Sequence, residues 1–305
     1  MRALATRYLA FVNHAFNTDA GRFRNFLAYT REWLEDSGSE DSHGRALWAL
    51  GAVVGRATNP GRQTLAGDLF HAALPAVLDF TSPRAWAFAL LGIDEYLRAF
   101  GGDRRVQAIG RTMAERLLDL FRRARQPEWE WFEDRVTYSN AHLSQALSVS
   151  GAWMERDDMK EAGLRSLDWL ASLQRSPSGA FAPIGSNGFY QRDEALAAFD
   201  QQPVEACAMV SACLDAQRLD GHPCWAQHAQ FAFNWFLGEN HLPQSLYDPS
   251  TGGCRDGLHA ERANQNQGAE STLSFLLALI DMRAADRPDV LVSRERTTRH
   301  EHSAV

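Results

Sequence analysis

The chain has 305 residues, 45% of them hydrophobic, with a formal net charge of −7 and a pI near 5.8. At that length a chain buries roughly 75% of the surface its unfolded form exposes, so it needs no disulfide or metal staple. An acidic balance without a basic stripe argues against nucleic acid as a partner.

The four cysteines, Cys207, Cys213, Cys224 and Cys254, form no C-x-x-C pair. Cys207 and Cys213 fall in one helical pattern, where buried free thiols are the ordinary expectation. The stretch from Met1 to Leu9 lacks the apolar core of a secretory signal. No run approaches the ~20 apolar residues of a membrane span. A cytoplasmic protein is the expectation.

Apolar positions recur at i, i+3, i+4 and i+7 almost throughout, and period-two alternation is scarce. The pattern predicts helices at 3–16, 42–57, 61–79, 82–100, 104–125, 138–155, 158–174, 202–218, 222–238 and 267–285. Residues 22–35 read as a further helix or as irregular structure. The helices alternate between two kinds. One kind carries an aromatic-apolar signature, as in Leu167-Asp-Trp-Leu170 and Phe233-Asn-Trp-Phe-Leu237. The other is rich in Ala, Ser and Gly with few charges, as in Arg45-Ala-Leu-Trp-Ala-Leu-Gly51 and Ala85-Trp-Ala-Phe-Ala-Leu-Leu-Gly92. A helix apolar on nearly every face belongs inside, and small residues let such helices pack closely. Alternating outer and inner helices at a period of ~40–60 residues mark a repeat architecture.

Closed into a ring, this alternation gives an all-α toroid, expected as one domain over 1–285. A tail without periodicity, expected to be mobile, follows at 286–305. Only five inner helices are evident, so the sixth hairpin is absent, disguised near 20–36, or supplied by another chain. Most links from outer to inner helix are long: 36–43, 126–138, 175–202 and 239–267. Loops beyond about 12–15 residues in a compact domain are usually functional, and in a toroid these would share one end.

Each long loop brings chemistry-bearing residues. The first holds Ser39-Glu-Asp-Ser-His-Gly-Arg45. Helix capping accounts for Glu40 or Asp41 singly, while the two together with His43 and Arg45 favour a site. The second, Pro127-Glu-Trp-Glu-Trp-Phe-Glu-Asp134, sets Glu128, Glu130, Glu133 and Asp134 among Trp129, Trp131 and Phe132. Each Trp alone is more often packing than ligand contact, yet four acids beside them favour function. Tyr138 and Asn140 lead into the next inner helix. The third is rich in glycine, carries Tyr190, and ends in Asp200-Gln-Gln-Pro-Val-Glu205. Glu205 falls near the third helical position, where an acid caps backbone donors. The fourth holds Asp256 and Asn266-Gln-Gly-Ala-Glu270, whose amides suit hydroxyl recognition. The histidines show no metal-ligand spacing, and no cofactor fingerprint is present.

The segments Ser39-Glu-Asp-Ser-His-Gly-Arg45 onward, Trp131-Phe-Glu-Asp134 with Tyr138-x-Asn140, Phe199-Asp-Gln-Gln-Pro-Val-Glu-Ala206 and Asn266-Gln-Gly-Ala-Glu-Ser271 resemble bacterial six-hairpin glycosidase-like proteins. These are often found beside, or fused to, GT-B glycosyltransferases. The resemblance implies an (α/α)6-barrel, a carbohydrate ligand in its mouth and a glycosyltransferase as functional partner.

Together these readings predict a glycoside hydrolase using two carboxylic acids. The catalytic candidates are Asp41, Asp134, Glu133 and Asp200. The expected substrate binders are Glu40, His43, Arg45, Glu130, Tyr138, Asn140, Gln201, Gln202, Glu205, Asp256, Asn266, Gln267 and Glu270, with Trp129, Trp131 and Tyr190 as stacking surfaces. No metal and no cofactor are expected. A sugar epimerase on the same barrel is the alternative and would use His43 or His142. A non-catalytic sugar-binding module is the third reading.

Overall fold

The computed structural model describes residues 2–286. The expected tail lies outside the described residues from 287 onward. Ten α-helices are present among the described residues: α1 (Arg2–Ala15), α2 (Glu40–Arg56), α3 (Pro60–Ala73), α4 (Pro83–Leu97), α5 (Arg104–Ala124), α6 (Ala141–Trp153), α7 (Asp157–Leu173), α8 (Pro203–Asp220), α9 (Cys224–Phe236) and α10 (Ala269–Ala285). Two short antiparallel pairs accompany them, β1 (Phe16–Asn17) with β2 (Arg22–Phe23) and β3 (Arg135–Val136) with β4 (Tyr190–Gln191). No described helix is long and apolar enough to cross a membrane.

Capping sets many of the boundaries. The side chains of Ser39, Asn59, Ser82 and Asp103 accept the otherwise unpaired N–H groups that open α2, α3, α4 and α5. At its C-terminus α8 stops on Gly221, which takes the left-handed conformation at φ 75°. The helix expected at 61–79 is cut short after Ala73. Pro75 has no N–H to continue the ladder, and Leu74–Asp79 tightens into a 3-10 turn. The expected start at 138 moves to Ala141, because Asn140 closes a turn through Thr137 N and Thr137 O, both at 3.0 Å. Residues 24–39 hold no helix.

The chain divides into two compact units. The first is the chain up to Glu133 together with His142–Ser166, and the second is Asp134–Ala141 together with the chain from Leu167 on. Within the first unit α2 packs on α3 and α4, and α4 on α5. Small residues permit the close approach: a Cβ on Gly92 would come within 2.6 Å of the Leu47 carbonyl oxygen, and one on Gly44 within 2.8 Å of that of Ala85. Within the second unit α8 packs on α9 and α10.

The expectation that Ala- and Ser-rich helices are inner ones holds for α4, α6 and α8, which are buried on nearly all faces. It fails for α10. There Ser271, Ser274, Phe275 and Ala278 face inward, while Leu273, Leu276, Leu277 and Ile280 are 39–60% exposed. No outer helix follows α10 among the described residues.

Candidate functional site

In the first unit the site residues gather at the starts of α2 and α4. Glu40 reaches beyond its own helix, and its Oε2 accepts from Thr81 N (2.9 Å) and Ser82 N (2.7 Å), which lead into α4. Asp41 pairs with Arg45 one turn later at 2.9 Å. The Arg45 guanidinium lies 4.2 Å from the centre of the Phe88 ring. Trp48 stacks on Phe88 at 6.1 Å and meets His142 edge-on at 5.0 Å. His142 is buried, and its Nδ1 has no hydrogen-bond partner. Burial, then the charge of Arg45, lowers its pKa to about 3, so the ring is neutral. Arg84, near the start of α4 and only 5% exposed, donates to Glu133 Oε2 at 2.6 Å.

Several expectations fail in this unit. His43 is a core residue and not a substrate binder. Phe23 N donates to its Nδ1 (3.3 Å), and its Nε2 bonds the Ala73 carbonyl (3.1 Å). Burial lowers its pKa to about 4, against the Ala73 bond and with help from the charge of Arg22. Trp129 and Trp131 offer no stacking face, being 3% and 0% exposed. The indole of Trp129 donates to the Glu133 carbonyl at 2.7 Å. Trp131 packs on Phe132, which packs on Phe121 of α5. The aromatic loop has folded inward, because burying large rings outweighs presenting them to water. Glu130 lies 3.8 Å from Arg125.

In the second unit the loops are stitched to one another. Asp134, with its side chain 72% exposed, pairs with Arg192, and β3 lies against β4, setting Tyr190 opposite Val136. Tyr138 is partly exposed. Ser139 takes a positive φ of 47°. The carboxylate of Glu205, 5% exposed, holds this turn by accepting from Ser139 N, from Asn140 N (3.3 Å) and from Asn140 Nδ2 (2.7 Å). Local capping therefore does not account for Glu205; its partners lie some 65 residues earlier.

Asp200 contacts His259 through Nδ1. Gln201 is buried, accepts from Trp235 Nε1 at 2.9 Å and pairs its backbone with Leu258. Gln202 is the N-cap residue of α8 and makes no side-chain cap. Asp256 accepts from Asn266 Nδ2 and from Gly268 N (2.7 Å), the residue that opens α10. Burial works to raise its pKa, but bonds from Asn266, Ser271 and Gly268 hold it below the ordinary value. Gln267 bridges Asp248 and Thr251 at 3.1 and 2.6 Å. Glu270 is exposed on the first turn of α10.

The acids thus sort by partner. Glu40, Glu205 and Asp256 take backbone N–H groups at the starts of α4, α6 and α10. Asp41, Glu133, Asp134 and Asp200 face Arg45, Arg84, Arg192 and His259. Arg84, Arg192, Trp48 and His259 join these acids and rings without standing among the sequence-predicted site residues. The one usable signal is Arg84, a charge placed ahead of the uncharged run 85–93 of α4.

Neither a family model nor a curated protein matches this sequence. Solved structures do match. A sugar epimerase from a ruminal bacterium aligns at 12% identity over 92% of this chain and 83% of its own, with a TM-score of 0.63. An unsaturated glucuronyl hydrolase specific for heparin aligns at 10% identity over 91% and 76%, with a TM-score of 0.63. The GH76A α-1,6-mannanase from Salegentibacter sp. HEL1_6 aligns at 9% identity over 93% and 99%, with a TM-score of 0.61. Likeness at this level defines the fold, the all-α (α/α)6-barrel.

Proposed function

We propose that this chain is a glycoside hydrolase-like enzyme that cleaves a glycosidic bond in an oligo- or polysaccharide with carboxylic acids. The observation that carries the reading is the loop layer of the second unit. There, Arg135–Val136 pairs with Tyr190–Gln191 and Gln201 pairs with Leu258, so the segments before α6, α8 and α10, which carry Asp134, Tyr138, Tyr190, Asp200, Asn266 and Gln267, are linked one to the next by hydrogen bonds. Amides and partly exposed tyrosines suit sugar hydroxyls and ring faces, and exposed carboxylates suit proton transfer or attack at an anomeric carbon. Asp41 and Glu133 are the corresponding candidates in the first unit. One acid protonates the leaving oxygen while another activates water or attacks.

The reading includes action as one catalytic domain, a cytoplasmic location and a glycosyltransferase as functional partner. Two of the structurally similar proteins bear hydrolase names and support it. The epimerase reading has the same fold in its favour, through the ruminal enzyme. Of the two histidines expected to serve it, His43 has both nitrogens bonded to backbone and His142 is a very weak base, so that reading would have to draw on a histidine of the loop layer.

Incubation with a panel of glycans and free sugars tests the assignment. New reducing ends are expected, and an altered monosaccharide or binding without turnover would overturn it. Asp134→Asn, Asp200→Asn, Asp41→Asn and Glu133→Gln are then compared. The acids that carry the chemistry are expected to lose roughly 10²–10⁴-fold in kcat.

A further inference from the structure

Asp200 and His259 are set side by side by backbone. Gln201 N donates to Leu258 O and Leu258 N to Gln201 O, both at 2.9 Å, so the two segments run antiparallel. Gly257 makes the approach feasible, since a Cβ there would overlap the Gln201 carbonyl. The side chain of Gln201 is anchored at both ends, by Trp235 Nε1 (2.9 Å) and by the Ala198 carbonyl (3.0 Å). Ser186 N holds the Asp200 carbonyl at 3.0 Å. On the other strand, His259 N donates to Arg262 O at 2.9 Å, and His241 Nε2 bonds the His259 carbonyl at 3.2 Å. His241 itself leans on the Phe199 ring at 4.9 Å.

Neither partner of the pair depends on a flexible arm for its place. A carboxylate accepting from imidazole Nδ1–H fixes the tautomer and leaves a lone pair on Nε2. That Nε2 makes no hydrogen bond to the described residues, and the His259 side chain is 34% exposed. It is open to water or a ligand, in contrast to the enclosed His43 and His142.

We propose that His259 is the general base of the loop layer and that Asp200 is its positioning residue. This rests on the hydrolase reading and deepens it: His259 takes the place of the second carboxylic acid as the group that activates water, and Asp200 acts through it. Nε2 takes a proton from the attacking water as the water oxygen bonds to the anomeric carbon. The bond from that carbon to the leaving oxygen breaks with its electron pair, and a carboxylic acid supplies the proton the leaving group needs. The imidazolium then returns its proton to that carboxylate through solvent, so one water is consumed per bond cleaved. Asp200 stays a hydrogen-bond acceptor throughout and makes no bond to the sugar.

Two measurements test this. In the first, His259→Ala is assayed on whichever glycan the wild type cleaves. A fall in kcat of roughly 10²–10⁴-fold is expected with KM little changed, and added imidazole should restore part of the rate. Cleavage within threefold of wild type, or a loss that imidazole does not rescue while circular dichroism shows a folded variant, would overturn the proposal and leave the hydrolase reading standing. Absence of cleavage by the wild type would sink the hydrolase reading instead.

The second measurement needs no substrate. Nitrogen-15 NMR of wild-type imidazoles, assigned by comparison with His259→Ala, should show the Nδ1–H tautomer at His259. Asp200→Ala, which removes the acceptor, should redistribute it. A wild-type Nε2–H tautomer, or a tautomer indifferent to Asp200→Ala, would refute the dyad directly.

Discussion

The helix starts of the first unit and the loop layer of the second share two uses of an acid and differ in a third. In the first, Asp41 and Glu133 meet the guanidinium groups of Arg45 and Arg84, and Glu40 clamps backbone N–H groups. In the second, Asp134 likewise meets Arg192 and Glu205 and Asp256 clamp backbone N–H groups, but Asp200 meets an imidazole. A guanidinium stays charged at any working pH and neither gives nor takes a proton. An imidazole does both near neutrality. The difference teaches that an acid-rich sequence is not a list of equivalent catalysts. The partner decides whether a carboxylate holds the chain, holds a charge or serves a proton transfer.

The contrast is sharpest at Glu205. Truncation to Ala would remove the buried carboxylate to which Ser139 N, Asn140 N and Asn140 Nδ2 all donate, and a loss of about 3–5 kcal/mol of unfolding free energy is expected. Chemical denaturation checks this, and a loss below about 1 kcal/mol would show that the clamp is not structural.

Acid pH probes the first unit next. His43 has a folded pKa lowered to about 4 against an ordinary 6.5, so between those values the unfolded chain binds more protons. Its contribution is present above pH 6.5 and is lost as pH falls towards 4, by on the order of 3 kcal/mol. Denaturant midpoints at pH 7 and 4.5 should differ accordingly, and His43→Gln should flatten that slope. Glu40→Ala releases one exposed and one partly buried N–H group at the start of α4 and should cost about 1–2 kcal/mol by the same assay.

Local periodicity carried most of the helical architecture. The 104–125 expectation differs from α5 by one residue because Asp103 caps it and its apolar stripe is regular. Where one residue changes the backbone, as Pro75 does, the pattern still reads helical and the break is overlooked. The site was less legible because its pairings are long-range. Glu205 sits at a position where a local cap is the natural reading, yet its partners are Ser139 and Asn140. His259 carries no local signature at all; only the Gln201–Leu258 pairing makes it Asp200's neighbour. Composition marks Trp129 and Trp131 as stacking faces, but composition does not show which way a loop folds, and both rings are buried.

The smallest expected effect closes the comparison from the other side. Asp134 is 72% exposed, and its partner Arg192 is its visible side-chain contact in the loop layer. An exposed ion pair gains little in high dielectric and is screened by salt. Asp134→Ala should therefore change the unfolding free energy by less than about 1 kcal/mol, with the change shrinking further in high salt. That tolerance is what makes Asp134 informative, because a variant that folds as well as wild type reports on chemistry alone. If Asp134→Asn then lost glycan cleavage while melting normally, the acid would belong to catalysis; if it melted early, Asp134 would join Glu205 among the residues that hold the loops in place.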